Sequence, residues 1–174
     1  MIAVTAVIHD TAVVHGDCSV GMRTRVWQFA SVMRGAVIGD LCNIGHGASV
    51  DASRIGGHCL IGAGSFLPPG IILEDDVFVG PGVIFCNDLW PRASRLGFDM
   101  AGLLAHSVAV VRVRRGASIG AGVIVLPGVT IGARAMIPAG AKVTADVPDD
   151  HLWGFGGRSV AIDPERVPNR MRPV

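Results

Sequence analysis

The residues of this 174-residue chain most capable of chemistry are six histidines, four cysteines and an Asn-Asp pair. The pair, Asn87 and Asp88, stands in the segment Phe85-Cys-Asn-Asp-Leu-Trp-Pro-Arg92. A carboxylate can accept hydrogen bonds from an ammonium group or relay its proton, and a carboxamide can orient an amine. Asn and Asp also favour turns, which they cap with their side chains, so the pair has a catalytic and a structural reading. Among the histidines, the usual general bases near neutral pH, His106 closes the irregular stretch that begins at Asn87. His46 and His58 lie within regular pattern, where corner or surface places suit them; His9, His15 and His151 have no motif around them. Arg112, Arg114 and Arg115 form the one tight basic cluster, either a solvated strand face or a local anion site. Cys18, Cys42, Cys59 and Cys86 show no CxxC spacing, against a zinc or thioredoxin-type motif.

The elements that must position these groups are written in the spacing of the aliphatic residues. Every sixth residue from Ile8 to Val50 is Ile or Val. The phase then slips by one and resumes as Ile55, Ile61, Leu67, Leu73, Val79 and Phe85, and later runs from Val113 to Val143. The residue four places after each is usually small, as at Ala12, Cys18, Ala36, Cys42, Cys59 and Ser65. Glycine often follows the aliphatic directly, as at Gly21, Gly39, Gly62, Gly80 and Gly120. A period of six suits neither a helix nor a simple strand. It suits short strands joined by tight corners, with these glycines expected to supply positive φ. Three such hexads make one triangular coil, and coils must stack to bury their inward faces, with strands ~4.8 Å apart. The expected fold is all-β, a parallel β-helix of about six to seven coils. Cys18, Cys42 and Cys59 then fill the small inward slot as buried hydrophobes.

The composition agrees: half the residues are apolar, 24 are glycine, 5% are aromatic and none is tyrosine. This excludes a disordered chain, and without ~18 uninterrupted apolar residues no membrane span is expected. A net charge of +1 gives no basic stripe for nucleic acid. The N-terminus lacks a basic stretch followed by an apolar one, so a cytoplasmic location is expected. Phe85 and Val113 are separated by a distance that six does not divide, so a loop of about residues 87–107 must protrude. Long irregular segments in compact domains are often functional. Residues 1–145 are read as the repeat and 146–174, with four prolines, as a tail packing on the end of the stack.

The segment Arg115-Gly-Ala-Ser-Ile-Gly-Ala-Gly-Val-Ile-Val-Leu-Pro-Gly-Val-Thr-Ile-Gly132 resembles the hexapeptide-repeat acyltransferases, whose fold is a left-handed parallel β-helix. Thr24-Arg-Val-Trp-Gln-Phe29, Leu73-Glu-Asp-Asp-Val-Phe-Val-Gly-Pro81 and Phe85–Arg92 are similar to the branch that N-acetylates UDP- or dTDP-linked amino sugars. The resemblance implies a homotrimer that takes acetyl-CoA and a nucleotide-linked amino sugar and holds no metal. It implies catalytic roles for Asn87 and Asp88, with His106 the candidate where a histidine base is used. Trp27, Glu74 and Arg92 would meet the sugar substrate. The backbone at Ala121, Gly122, Ala139 and Gly140 would line the pantetheine groove, with Lys142 and Arg158 at the phosphates. Two alternatives are a γ-type carbonic anhydrase-like metalloenzyme and a non-catalytic β-helix for assembly. The first needs three zinc-bound histidines, two of them five residues apart, and five beyond His46 stands Asp51.

Overall fold

The structure, a computed structural model, describes residues 1–94, 97–154 and 156–163. Arg95, Leu96, Phe155 and 164–174, which include twelve of the 29 residues of the expected tail, lie outside the described residues. The chain winds as a triangular parallel β-solenoid of about eight turns, with strands of two or three residues. Three sheets of nine, seven and six strands form its sides. The first begins at Val7–Ile8, the second at Val13–Val14 and the third at Ser19–Val20. Most coils advance eighteen residues, as from Val7 to its partner Arg25. The third is one residue shorter, pairing Asn43 with Leu60, which is the phase slip seen in the sequence. The count exceeds the expected six to seven because the first and last turns lack the full aliphatic series. Ile2 bridges to Val20 before that series begins, and His151–Trp153 extends the first sheet after it ends.

Each strand turns one aliphatic inward and its neighbour outward. Ile44, Ile61, Val79, Ile119 and Ile137 therefore stack as one buried column down the first sheet. Short β-branched side chains suit this narrow prism, since they pack well on a pleated surface with little rotamer freedom to lose. Cys18, Cys42 and Cys59 are buried and free, as expected of the small slot. Their sulfurs bond to main-chain carbonyls of the next coil, Cys42 to Gly56 at 3.0 Å and Cys59 to Glu74 at 3.1 Å. Contact with the Cys42 sulfur, together with burial, pushes the Cys59 thiol well up, and burial raises Cys18. The same contact lowers Cys42, which burial opposes, and all three sulfurs lie buried in the small slot as packing groups.

The glycines need a correction. Those directly after the inward aliphatics do not adopt positive φ. They are required because stacked coils approach too closely there for a side chain. A Cβ on Gly62 would lie 2.4 Å from the carbonyl carbon of Gly80 and 2.4 Å from the nitrogen of Pro81. The left-handed corners fall two residues later, as at Gly64, φ +65°.

The basic cluster resolves to a solvated ladder. Arg115 meets Asp75 at 2.5 Å, Arg114 meets Asp149 at 3.4 Å and Arg112 lies 3.8 Å from Glu74, all at one exposed corner. The Gly57 N–H, and secondarily Arg115, hold the Asp75 carboxyl below its usual range. Exposed pairs of this kind contribute little each, typically under about 1 kcal/mol.

The second sheet ends at Lys142–Val143, leaving the Lys142 carbonyl without a following strand. The buried indole of Trp153 caps it, with Nε1 donating to that oxygen at 3.1 Å. Trp153→Phe removes the donor and leaves a part-buried acceptor without it, a loss of about 1 kcal/mol. The expected result is a urea unfolding midpoint lowered accordingly at unchanged slope; an unchanged midpoint contradicts the capping role.

Candidate active site

The irregular segment enters between the second and third sheets. Phe78 pairs with Ser118, forty positions on, where a complete coil advances eighteen, so twenty-two residues are inserted. The chain leaves after Ile84–Phe85 and returns at Val111–Val113. Between them lies one short helix, Met100–Leu104, whose N-cap Asp99 accepts from the Gly102 N–H at 2.9 Å. Leu103 is the buried residue of that helix and seats over Gly70, where a Cβ would stand 2.6 Å from it.

The insertion folds back over earlier coils rather than outward. Val110 N–H donates to the Gly70 carbonyl at 2.8 Å. Farther back, His106 Nε2 lies 3.0 Å from the carbonyl of Gly35. A carbonyl can only accept, so Nε2 carries the proton, and the imidazole is a clasp between the loop and the second coil.

Under this strap is a cavity of about 250 Å³. Asn87, Asp88 and Arg92 line it from the insertion, and Arg34, Asp51 and Phe66 from the coil wall. Asn87 Nδ2 donates to the Pro69 carbonyl at 3.1 Å. That bond uses the amide nitrogen and leaves Oδ1 as an acceptor for a ligand. One oxygen of Asp88 accepts from the Trp90 N–H at 2.8 Å, the turn-capping role its residue type suggests. Its second oxygen remains for another donor.

The site residues expected from the sequence divide into groups. Asn87, Asp88 and Arg92 come together in the cavity, while His106 does not line it. Trp27 and Glu74 do not line it either: Trp27 Nε1 donates to Asn43 at 2.6 Å beside the first sheet. Glu74 accepts from the Arg115 N–H at 3.0 Å on the salt-bridge corner. Ala139, Gly140 and Lys142 line a second cavity of about 450 Å³ at the end of the stack, closed by Trp153 and the Gly156–Gly157 turn. Ala121 and Gly122 occupy the same corner one coil earlier, with Ala121 O accepting from Gly140 N at 2.8 Å. Arg158 is exposed, its carbonyl bonded by Gly154 N–H in the hairpin beside that cavity. Among the described residues no three His, Cys, Asp or Glu side chains converge as a metal site requires.

Two cavity residues escaped the sequence reading. Arg34 Nε donates to Asp51 Oδ1 at 2.6 Å and its Nη2 to Oδ2, a two-point pair linking the second and third coils. Asp51 is 5% exposed, and this bond raises the Arg34 pKa further above its usual value. The available signal was the phase slip itself, since Asp51 directly follows Val50, the last residue before it.

Known proteins bear on this arrangement. Residues 111–145 match the bacterial transferase hexapeptide family, described as six repeats, and 54–84 match the hexapeptide repeat of succinyl-transferase. The bifunctional protein GlmU of Thermosynechococcus vestitus is 30% identical over 78% of this chain and 27% of its own length. A galactoside O-acetyltransferase of Lactococcus lactis is 35% identical over 49% of this chain and 42% of its own. Among solved structures, a His-to-Asn mutant of perosamine N-acetyltransferase from Caulobacter crescentus, in complex with CoA and GDP-perosamine, is 26% identical with a TM-score of 0.52. That match covers 91% of this chain and 57% of the other. The chain spans less than half the length of the curated relatives it matches. The fold is thereby the left-handed β-helix of hexapeptide repeats.

Proposed function

We propose that this hexapeptide-repeat chain is an acyl-CoA-dependent acyltransferase that acetylates the amino group of a nucleotide-linked amino sugar. The observation that carries the reading is the Asn87 amide, pinned to Pro69 with its oxygen left for a donor in a cavity beside Asp88. The relatives support the class, since their names describe transfer to sugars. An amine is favoured over a hydroxyl because the cavity presents hydrogen-bond acceptors but no histidine. A hydroxyl nucleophile needs a positioned base to become reactive, whereas a neutral amine does not.

In this reading Asn87 Oδ1 accepts one amine N–H and aims the nitrogen lone pair, while the second oxygen of Asp88 holds another. Acetyl-CoA supplies the activated acetyl group. The new N–C bond forms as the C–S bond breaks, and the amine proton passes to the departing thiolate. Placement of the reacting atoms accounts for much of such a rate. His106 keeps the strap in place and is given no proton to carry. The phosphate end of CoA fits the second cavity, where Ala139, Gly140 and Gly156 offer small, open surface and Lys142 a cation, and its arm would extend from there to bring the thioester to the amine at Asn87. The active assembly is a homotrimer in the cytoplasm; no helix among the described residues is long and apolar enough to cross a membrane.

Acetyl-CoA at roughly a hundred times its Kd should stabilise the native state by about 2.7 kcal/mol. At 2–4 °C per kcal/mol for a chain of this size, the melting temperature should rise roughly 5–10 °C. CoA release is then measured against a panel of nucleotide-linked amino sugars and their hydroxyl counterparts. Release with amines alone supports the reading; release with hydroxyl sugars alone moves it to O-acylation. No thermal shift at millimolar acetyl-CoA counts against any acyl-CoA enzyme.

A further inference from the structure

We propose that Arg34 is the residue with which the cavity recognises an anionic group on the acceptor, and that Asp51 is the residue that positions it. This rests on the acceptor reading above and adds a specificity determinant to it. The two members of the pair face the cavity unequally. The Arg34 side chain is 43% exposed and that of Asp51 8%, so the positive end of the pair is presented and the negative end is hidden. Nε and Nη2 are committed to Asp51, while Nη1 has no acceptor among the described residues. A guanidinium held from behind in this way keeps a free edge of N–H donors in fixed orientation, the geometry that suits carboxylate and phosphate.

The backbone fixes that orientation at some cost. Arg34 sits in the left-handed region at φ +50°, and Ala52, next to Asp51, at φ +41°. This left-handed conformation is the general one at corners of the solenoid, shared by Arg23, Leu41, His58 and Arg134, and it sets where the side chain leaves the backbone. Both fall at the corner where the repeat is one residue short. Gly35, adjacent to Arg34, is also the point where His106 fastens the strap, so loop and arginine share one anchor.

The rest of the cavity is consistent with an anion at this place. Arg92 lines it and makes no ion pair with any described residue. Asp88 spends one oxygen on its own turn. Phe66 and Phe98 add flat apolar walls, suited to the ring that would carry the anion. The shared chemistry is an oxyanion, which a phosphate or a sugar carboxylate could supply.

The test is the double variant Arg34→Gln with Asp51→Asn, which replaces the ion pair by two amides and leaves no buried carboxylate unpaired. Binding of UDP and of glucuronate is measured by calorimetry on both proteins, with the acetyl-CoA thermal shift as the check of folding. At least tenfold weaker UDP binding in the variant assigns a phosphate to Arg34; the same loss for glucuronate alone assigns a carboxylate. Equal binding of both probes to the two proteins, or binding of neither by the parent, overturns the proposal. With a working acceptor, KM should rise at least tenfold and kcat change little, whereas a merely structural role would lower kcat. Should the double variant fail to fold, Arg34→Lys keeps the charge without the two-point bond and should show the same KM rise. If no amine is acetylated at all, the transfer reading fails while the calorimetry still decides the role of Arg34.

Discussion

Asn87→Ala should lower kcat/KM for the acceptor by about a hundredfold while leaving the acetyl-CoA thermal shift in place. The size follows from what a single aimed polar group contributes at a reacting centre, on the order of 10²–10³ in rate. The amide nitrogen of Asn87 is held by the Pro69 carbonyl, which fixes the direction of its oxygen. Alanine removes both the anchor and the acceptor without adding bulk. Asn87→Asp makes a sharper comparison. Its carboxylate retains an acceptor but sets negative charge against the Pro69 carbonyl, so the side chain should turn away and activity should fall nearly as far. The loss should appear in kcat as well as KM, because the amine is then bound without being aimed. A variant that keeps full kcat/KM would remove Asn87 from the mechanism. The second cavity lies at the far end of the stack, so a lost thermal shift would mean damage to the fold rather than to the chemistry.

The largest effect on stability should come from a single added methyl group. Gly62→Ala places a Cβ 2.4 Å from two backbone atoms of the next coil, at Gly80 and Pro81. No side chain can swing aside to relieve this, so two coils must separate, and the hydrogen bond from Gly62 N–H to Val79 O lies in the same contact. Overpacking commonly costs 1–3 kcal/mol, and a backbone obstacle belongs at the upper end, about 3 kcal/mol. The natural control is Gly64→Ala, two residues away. Its Cβ would meet nothing within 4 Å, and its only penalty is the φ of +65°, about 1–2 kcal/mol. Urea denaturation of the two variants should therefore give a clearly lower midpoint for Gly62→Ala. If Gly64→Ala is the less stable of the two, close stacking is not what these glycines serve.

This contrast shows where the sequence speaks and where it does not. Ile44, Ile61 and Val79 announced themselves, because an inward column with a fixed period is a one-dimensional signal. The fact that Gly62 is followed by Gly64 was visible too. Which of them makes a turn and which permits a close contact was not, since that depends on the coil above rather than on neighbours in the chain. The same limit governs the site. The segment holding Asn87 stands out because the insertion interrupts the repeat there, and Arg92 was selected by resemblance within the same segment. Arg34 and Asp51 could not be paired from their spacing, since they meet only through coil stacking, and each alone reads as an ordinary corner residue. His106 was legible as the end of the loop, but its partner at Gly35 is seventy-one positions away. Trp27 and Glu74 were selected by resemblance, and each is bonded within the stack on another face of the prism.

The strap also changes what kind of object this solenoid is. In a stack of repeats each coil touches only its neighbours, and stability accumulates step by step along one axis. Here a segment that leaves beside Phe85 is bolted to Gly70 and then to Gly35, bridging coils that do not touch each other. The coils from Arg34 to Phe85 are therefore coupled through one segment, so that opening one of them must break contacts made to another. Beyond Val113, among the described residues, the contact that skips a coil is the exposed ion pair of Arg114 with Asp149. The acceptor cavity therefore lies under the strap, while the cavity assigned to the acyl donor lies beyond it along the stack.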